Sequence, residues 1–160
     1  MENPISAKNK FYICDMEDTD GIHHINIYSK GLTEVGKWLS NFTYCPIKTQ
    51  HGNFKSIEGY WYWLSSQNES LRLLHGFSAK KLGKESPKVQ QLSEDEFRKY
   101  ICQAIDIKLK TKPKWVAEQC NLPLKHYYDY GGKRIEKQEY NWITEHIQNR
   151  VNQLRVHYKL

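Results

Sequence analysis

The sequence predicts an α+β fold: a single, mainly helical domain with a small antiparallel β element, an N-terminal hairpin. Three observations lead there. Apolar residues recur at helical spacing in two long stretches, Phe97, Ile101, Ile105 and Leu109 and then Tyr140, Ile143, Ile147, Val151 and Leu154. Two short apolar runs, Phe11–Cys14 and Ile25–Tyr28, flank an acidic turn signal and read as a hairpin. The length of 160 residues, 39% apolar and 13% aromatic, suits one ordinary core.

Residues 1–9 read as a loose polar tail and residues 10–160 as the domain. The hairpin turn is Glu17-Asp18-Thr19-Asp20-Gly21. With Asp15 it is acidic enough to suggest calcium, but it lacks the ligand order and closing Glu of an EF-hand loop. Ser56 is placed to cap a helix over Ile57–Ser66, which Ser70–His75 extends and Gly76 ends. Ser78 caps a second short helix, Ala79–Gly83. Ser93-Glu94-Asp95-Glu96 is a capping box that opens a helix over Glu94–Lys110. Pro113 starts a short helix reaching Cys120, and the last helix runs from Glu139 to Val156. Residues 28–53 and 126–133 stay irregular and rich in aromatics, the kind of loop in which ligands are held.

Composition narrows the function. The net charge of +6 and a pI near 9.0 favour anionic partners only mildly, because the excess is spread along the chain. The four cysteines form no C-x-x-C pair and match no zinc module. No apolar run approaches the ~20 residues of a membrane helix, and the start of the chain is polar. The expectation is a cytoplasmic protein with reduced thiols. There is no phosphate-binding G-x-x-x-x-G-K-[ST] loop, no H-E-x-x-H, and no pairing of Ser or Cys with a base.

Four places carry residue types suited to chemistry. Glu58 falls in the first turn after Ser56, where the helix dipole favours the carboxylate, and Tyr60, Trp61, Tyr62 and Trp63 follow. An ionised carboxylate among aromatics suits stabilisation of a sugar oxocarbenium ion; an acidic residue there is equally a good helix start. Ser40, Asn41 and Phe42 offer short polar groups for ribose or a base edge, or close an ordinary turn. Lys80, Lys81 and Lys84 suit a phosphate or form a solvated face. Asp129 beside Gly131-Gly132-Lys133 is a candidate second carboxylate, with Gly131 allowing close backbone approach, or a plain β-turn.

The order of these features resembles the NADAR (YbiA-like) family. The resemblance rests on Ile27-Tyr28-Ser29, Leu39-Ser40-Asn41-Phe42, Pro46-Ile47 and Ser56-x-Glu58-x-Tyr60. Ala79-Lys80-Lys81-Leu82-Gly83-Lys84 and the helix bearing Ala104 and Lys108 extend it, so that it covers roughly residues 26–155. It implies a YbiA-like α+β domain and a metal-independent N-glycosidase, without cofactor, that removes ADP-ribose from guanine bases of nucleic acid. A ribosylated small metabolite as substrate, or a non-catalytic ADP-ribose or nucleic-acid reader, are the alternatives. The implied partner is ADP-ribosylated nucleic acid or a nucleotide-like small molecule, with no membrane. The family's glutamate falls on Glu58 and its SNF motif on Ser40, Asn41 and Phe42. Trp61 is a candidate stacking residue, Lys80, Lys81 and Lys84 are candidates for the diphosphate, and Asp129 with Gly131 stands where the family's C-terminal motif is reduced. Gly59 and Ser65 stand where the family has His and Lys.

Overall fold

The computed structural model describes residues 18–160. The proposed tail and the first hairpin strand, Phe11–Cys14, lie outside the described residues, as does Cys14. The second strand is present as β1 (Ile25–Asn26), and its partner among the described residues is β4 (Leu124–Lys125), in parallel with Ile25 opposite Leu124. Asp18 and Asp20 of the acidic turn are built into the fold. Asp20 accepts from the backbone N–H of Asn26 and Leu32 at 3.0 and 2.8 Å. Asp18 pairs with Lys125 at 3.0 Å, with Arg134 at 2.7 Å and with His24 at 2.8 Å.

A six-residue helix, α1 (Glu34–Leu39), follows β1 and is absent from the sequence expectation. Thr33 caps it by accepting from Gly36 N, and Gly36 is required there because a Cβ would lie 2.3 Å from Asn26 O. Next comes an antiparallel hairpin, β2 (Ile47–Thr49) and β3 (Gly52–Phe54), inside the stretch the sequence leaves irregular. Its turn uses Gly52 at φ +101.

The helix α2 (Ile57–Ser66) begins where its cap predicts: Ser56 is extended at φ −159 and its Oγ accepts from Gly59 N. It ends at Gln67, which is left-handed at φ 53. Ser70–His75 does not prolong it. A separate 3-10 turn (Glu69–Leu73) follows. Gly76 opens α3 (Gly76–Glu85) instead of ending a helix, so Ser78 lies inside α3 and caps nothing. Gly76 has φ +60 and donates to Phe42 O, so it acts as the bend into α3.

Then come α4 (Glu94–Leu109), capped by Ser93 Oγ accepting from Glu96 N, and α5 (Pro113–Gln119). A second antiparallel hairpin, β5 (Tyr128–Tyr130) and β6 (Lys133–Ile135), and a 3-10 turn lead into α6 (Asn141–His157). The core lies between α2, α4 and α6. Ile57, Tyr60 and Leu64 meet Ile101, Ile105 and Leu109, with Ile147 and Val151 behind; all are buried. Each such side chain contributes roughly 1.5–3 kcal/mol on leaving water. The α2 spacing thus divides the helix, with 57, 60 and 64 facing the core and Glu58, Trp61 and Tyr62 facing away from it towards α3 and the second hairpin.

Candidate functional site

That second face of α2 is the floor of a cleft of about 900 Å³. Its walls are the Ser40–Phe42 loop, one face of α3, the segment after β1, the β5–β6 hairpin and the start of α6. Most of the loop is fixed through its backbone. Ser40 O accepts from Lys108 Nζ at 2.8 Å, Asn41 O from Glu58 N at 3.0 Å, and Phe42 O from Gly76 N at 2.9 Å. Three consecutive carbonyls are therefore held by α4, α2 and α3 in turn. Lys108 is buried, and burial pulls its ammonium down to about 7.

Glu58 is the only acidic residue in the cleft lining among the described residues. It is 9% exposed, and its carboxyl accepts no hydrogen bond from the described residues. Burial raises it from 4.5 to about 7, against the opposing pull of Lys80 and Lys84. The sequence argument from the helix dipole is therefore corrected. A dipole contributes at most about 1 kcal/mol at a surface helix end, whereas the shift corresponds to roughly 3 kcal/mol. Loss of water outweighs the helix terminus, and Glu58 exchanges a proton near neutral pH. Tyr62, one turn along α2, is pushed up to about 12 by burial and by Glu58; Tyr128 reaches about 12 through burial, Tyr140 and Glu58. Both stay protonated as hydrogen-bond donors.

Of the residues singled out in the sequence, Ser40, Asn41, Phe42, Glu58, Trp61, Lys80 and Lys84 come together in this cleft. The ring of Trp61 packs edge-on against Phe97 at 4.6 Å and parallel to Trp142 at 6.1 Å, so much of it serves the wall itself. Phe77, Lys80 and Lys84 share one face of α3 at i, i+3 and i+7; Lys81 lies off that face, exposed and outside the lining. Asp129 is not brought in either. Strand alternation sends Tyr128 and Tyr130 to the cleft and Asp129 to the other side, where its Oδ1 accepts from Gly132 N at 2.9 Å. Gly131 is at the exposed hairpin tip with φ +60, and it also stands outside the lining. Asp129 thus braces the hairpin turn from within β5 and Gly131 forms that turn, the plain alternative left open by the sequence.

The structure adds residues that were not site candidates in the sequence. Tyr28 meets Tyr128 edge-on at 5.6 Å, and Tyr128 stacks with Tyr130 at 6.2 Å and 12°. Tyr62, Tyr140, Lys30 and Lys137 also belong to the lining, which thus holds four lysines and one acidic carboxyl. The alternation Tyr128-x-Tyr130 was the available signal, hidden because the segment looked like a loop.

Gly59 has a packing reason. A Cβ there would stand 2.4 Å from Leu71 O, so the backbone of the 3-10 turn occupies the place of a side chain. Ser65 donates its hydroxyl to Tyr62 O at 3.3 Å. Among the described residues no group of His, Cys, Asp and Glu is arranged to hold a metal ion, and no helix is long and apolar enough to cross a membrane.

No family model matches the sequence, and no curated protein matches it either. The NMR structure of the E. coli protein YbiA is similar, with a TM-score of 0.61 over 85% of this chain and 87% of that chain, at 17% identity. The chain thus has a YbiA-like α+β fold.

Proposed function

We propose that this protein hydrolyses the N-glycosidic bond joining ADP-ribose to a guanine base of nucleic acid. The observation that carries the proposal is a single buried carboxyl, Glu58, with a proton affinity near neutrality, at the floor of an aromatic cleft whose other charged side chains are lysines. A base with a pKa near the working pH is best matched to taking a proton from water. In this reading water attacks the anomeric carbon, its proton passes to Glu58, and the C–N bond breaks with its electron pair leaving on the guanine, which takes a proton from solvent. Ionised Glu58 also faces the positive charge that develops on the ribose. Asn41 and Ser40 orient ribose hydroxyls, while Lys80 and Lys84 meet the diphosphate. Asp129 and Lys81 have no part in this scheme, because neither lines the cleft.

The test is release of free ADP-ribose from an ADP-ribosylated guanine oligonucleotide. Glu58→Gln is expected to slow release by about 10²–10⁴-fold while the chain stays folded. For the wild type, kcat/KM rises with pH and levels off above about 7, as Glu58 loses its proton. Tight ADP-ribose binding without any release from the wild type would make the protein a reader and sink the hydrolytic proposal. Release only from small ribosylated nucleosides would keep the chemistry and replace the substrate.

A further inference from the structure

The mouth of the cleft contains groups that this scheme leaves unused. Phe77 on α3 is 71% exposed and Tyr130 on β5 is 58% exposed, yet both line the same cleft. A lone exposed aromatic is ordinary. Two at one opening, accompanied by cations, are the combination that binds unpaired bases. The cations are Lys30, after β1, and Lys137, after β6. Both are exposed, and the ammonium of Lys137 sits 5.7 Å from the Tyr128 ring. With a single carboxyl deep below them, the opening is complementary to a phosphate backbone. Bases in a duplex already stack on one another, so exposed aromatic surface of this kind suits a single strand.

We propose that Phe77 and Tyr130 stack unpaired bases that flank the modified nucleotide, while Lys30 and Lys137 hold the adjoining phosphates. The inference rests on the glycosidase reading above, and it makes these side chains the determinants of strand over free nucleotide.

The test uses the full chain and a fluorescein-labelled, unmodified ten-nucleotide single strand, followed by anisotropy across a salt series. Phe77→Ala and Tyr130→Ala are each expected to weaken binding by about tenfold with little change in salt slope. Phe77→Trp keeps the affinity or tightens it. Lys137→Ala is expected to lower the salt slope by about one, and Lys114→Ala, outside the cleft, leaves it unaltered. Since Phe77 and Tyr130 are exposed, melting temperatures of the variants should match the wild type. The proposal is overturned if both aromatic truncations bind like wild type, if guanosine monophosphate competes as well as the strand, or if a duplex binds equally tightly. Strand binding of the expected pattern without ADP-ribose release would leave the rim standing and remove the hydrolase. Release without strand binding would do the reverse.

Discussion

Replacing Glu58 with Gln should make the protein more stable at pH 8 and change its stability by less than about 0.5 kcal/mol at pH 4.5. In the folded chain the carboxyl titrates at about 7, and in the unfolded chain near its ordinary 4.5. Below 4.5 both states are protonated and the group is neutral to folding. As pH rises from 4.5 the unfolded chain gives up its proton while the folded chain keeps it, so stability falls, and the loss is complete once pH passes about 7. The full loss is roughly 3 kcal/mol. Gln has the shape of the neutral acid and does not titrate, so it escapes this loss. Allowing the helix terminus up to about 1 kcal/mol in favour of the carboxylate leaves a net gain of about 2–3 kcal/mol at pH 8. For a chain of this size that is a melting temperature higher by roughly 4–12 °C. Urea midpoints of both proteins at the two pH values measure the difference directly. Subtracting one from the other cancels the remaining titrating groups. Lys108 is among these; it runs the opposite way, weakening the fold as pH falls towards about 7. Equal midpoints at pH 8, or a less stable variant, would refute the claim that Glu58 is held desolvated.

Packing and tethering give three more outcomes. A Cβ on Gly83 would stand 2.1 Å from the Tyr62 ring, so Gly83→Ala should destabilise the α2–α3 contact by about 1–3 kcal/mol and displace Tyr62 from the cleft wall; an unchanged urea midpoint would contradict this. Gly59→His collides with Leu71 O, and a loss of about 3 kcal/mol or more is expected in the same measurement. Arg134→Ala removes the tie from the second hairpin to Asp18. Global stability should change by less than about 1 kcal/mol. Amide exchange across Tyr128–Ile135 should quicken by up to about fivefold, with no change in α4.

The long helices were legible because their signals are local. Ser56 and Ser93 accept the bonds their positions imply, and the stripe through Ile101, Ile105 and Leu109 is the buried one. What escaped depends on contacts distant in sequence. The helix α1 is too short to show a period, and its Gly36 makes sense only once Asn26 O lies against it. Gly76 has the chemistry of a helix end, yet its positive φ turns the chain into α3 while its N–H donates to Phe42 O. Of the candidate site residues, Ser40, Asn41, Phe42, Glu58, Lys80 and Lys84 line one cleft, and motif order in the sequence already groups them. Asp129 stands outside the cleft lining, which only a strand assignment reveals, since alternation decides that Tyr128 and Tyr130 face inwards. The protonation of Glu58 was not legible at all. It follows from burial by segments far away in the chain, which a local rule about helix ends does not contain.

The two sides of the cleft tolerate change very differently. The Ser40–Phe42 loop spends three successive carbonyls on three separate helices. Inserting or deleting one residue there shifts the phase of every clamp and leaves partners such as the Lys108 ammonium buried without an acceptor, at about 1–3 kcal/mol each. The facing hairpin, exposed from 129 to 139 and tethered through Arg134, can be lengthened, shortened or re-lettered at small cost to the fold. New preferences for what enters the cleft are therefore available from one wall alone, and a library confined to residues 129–137 would alter selectivity while Glu58 and its loop stay in place.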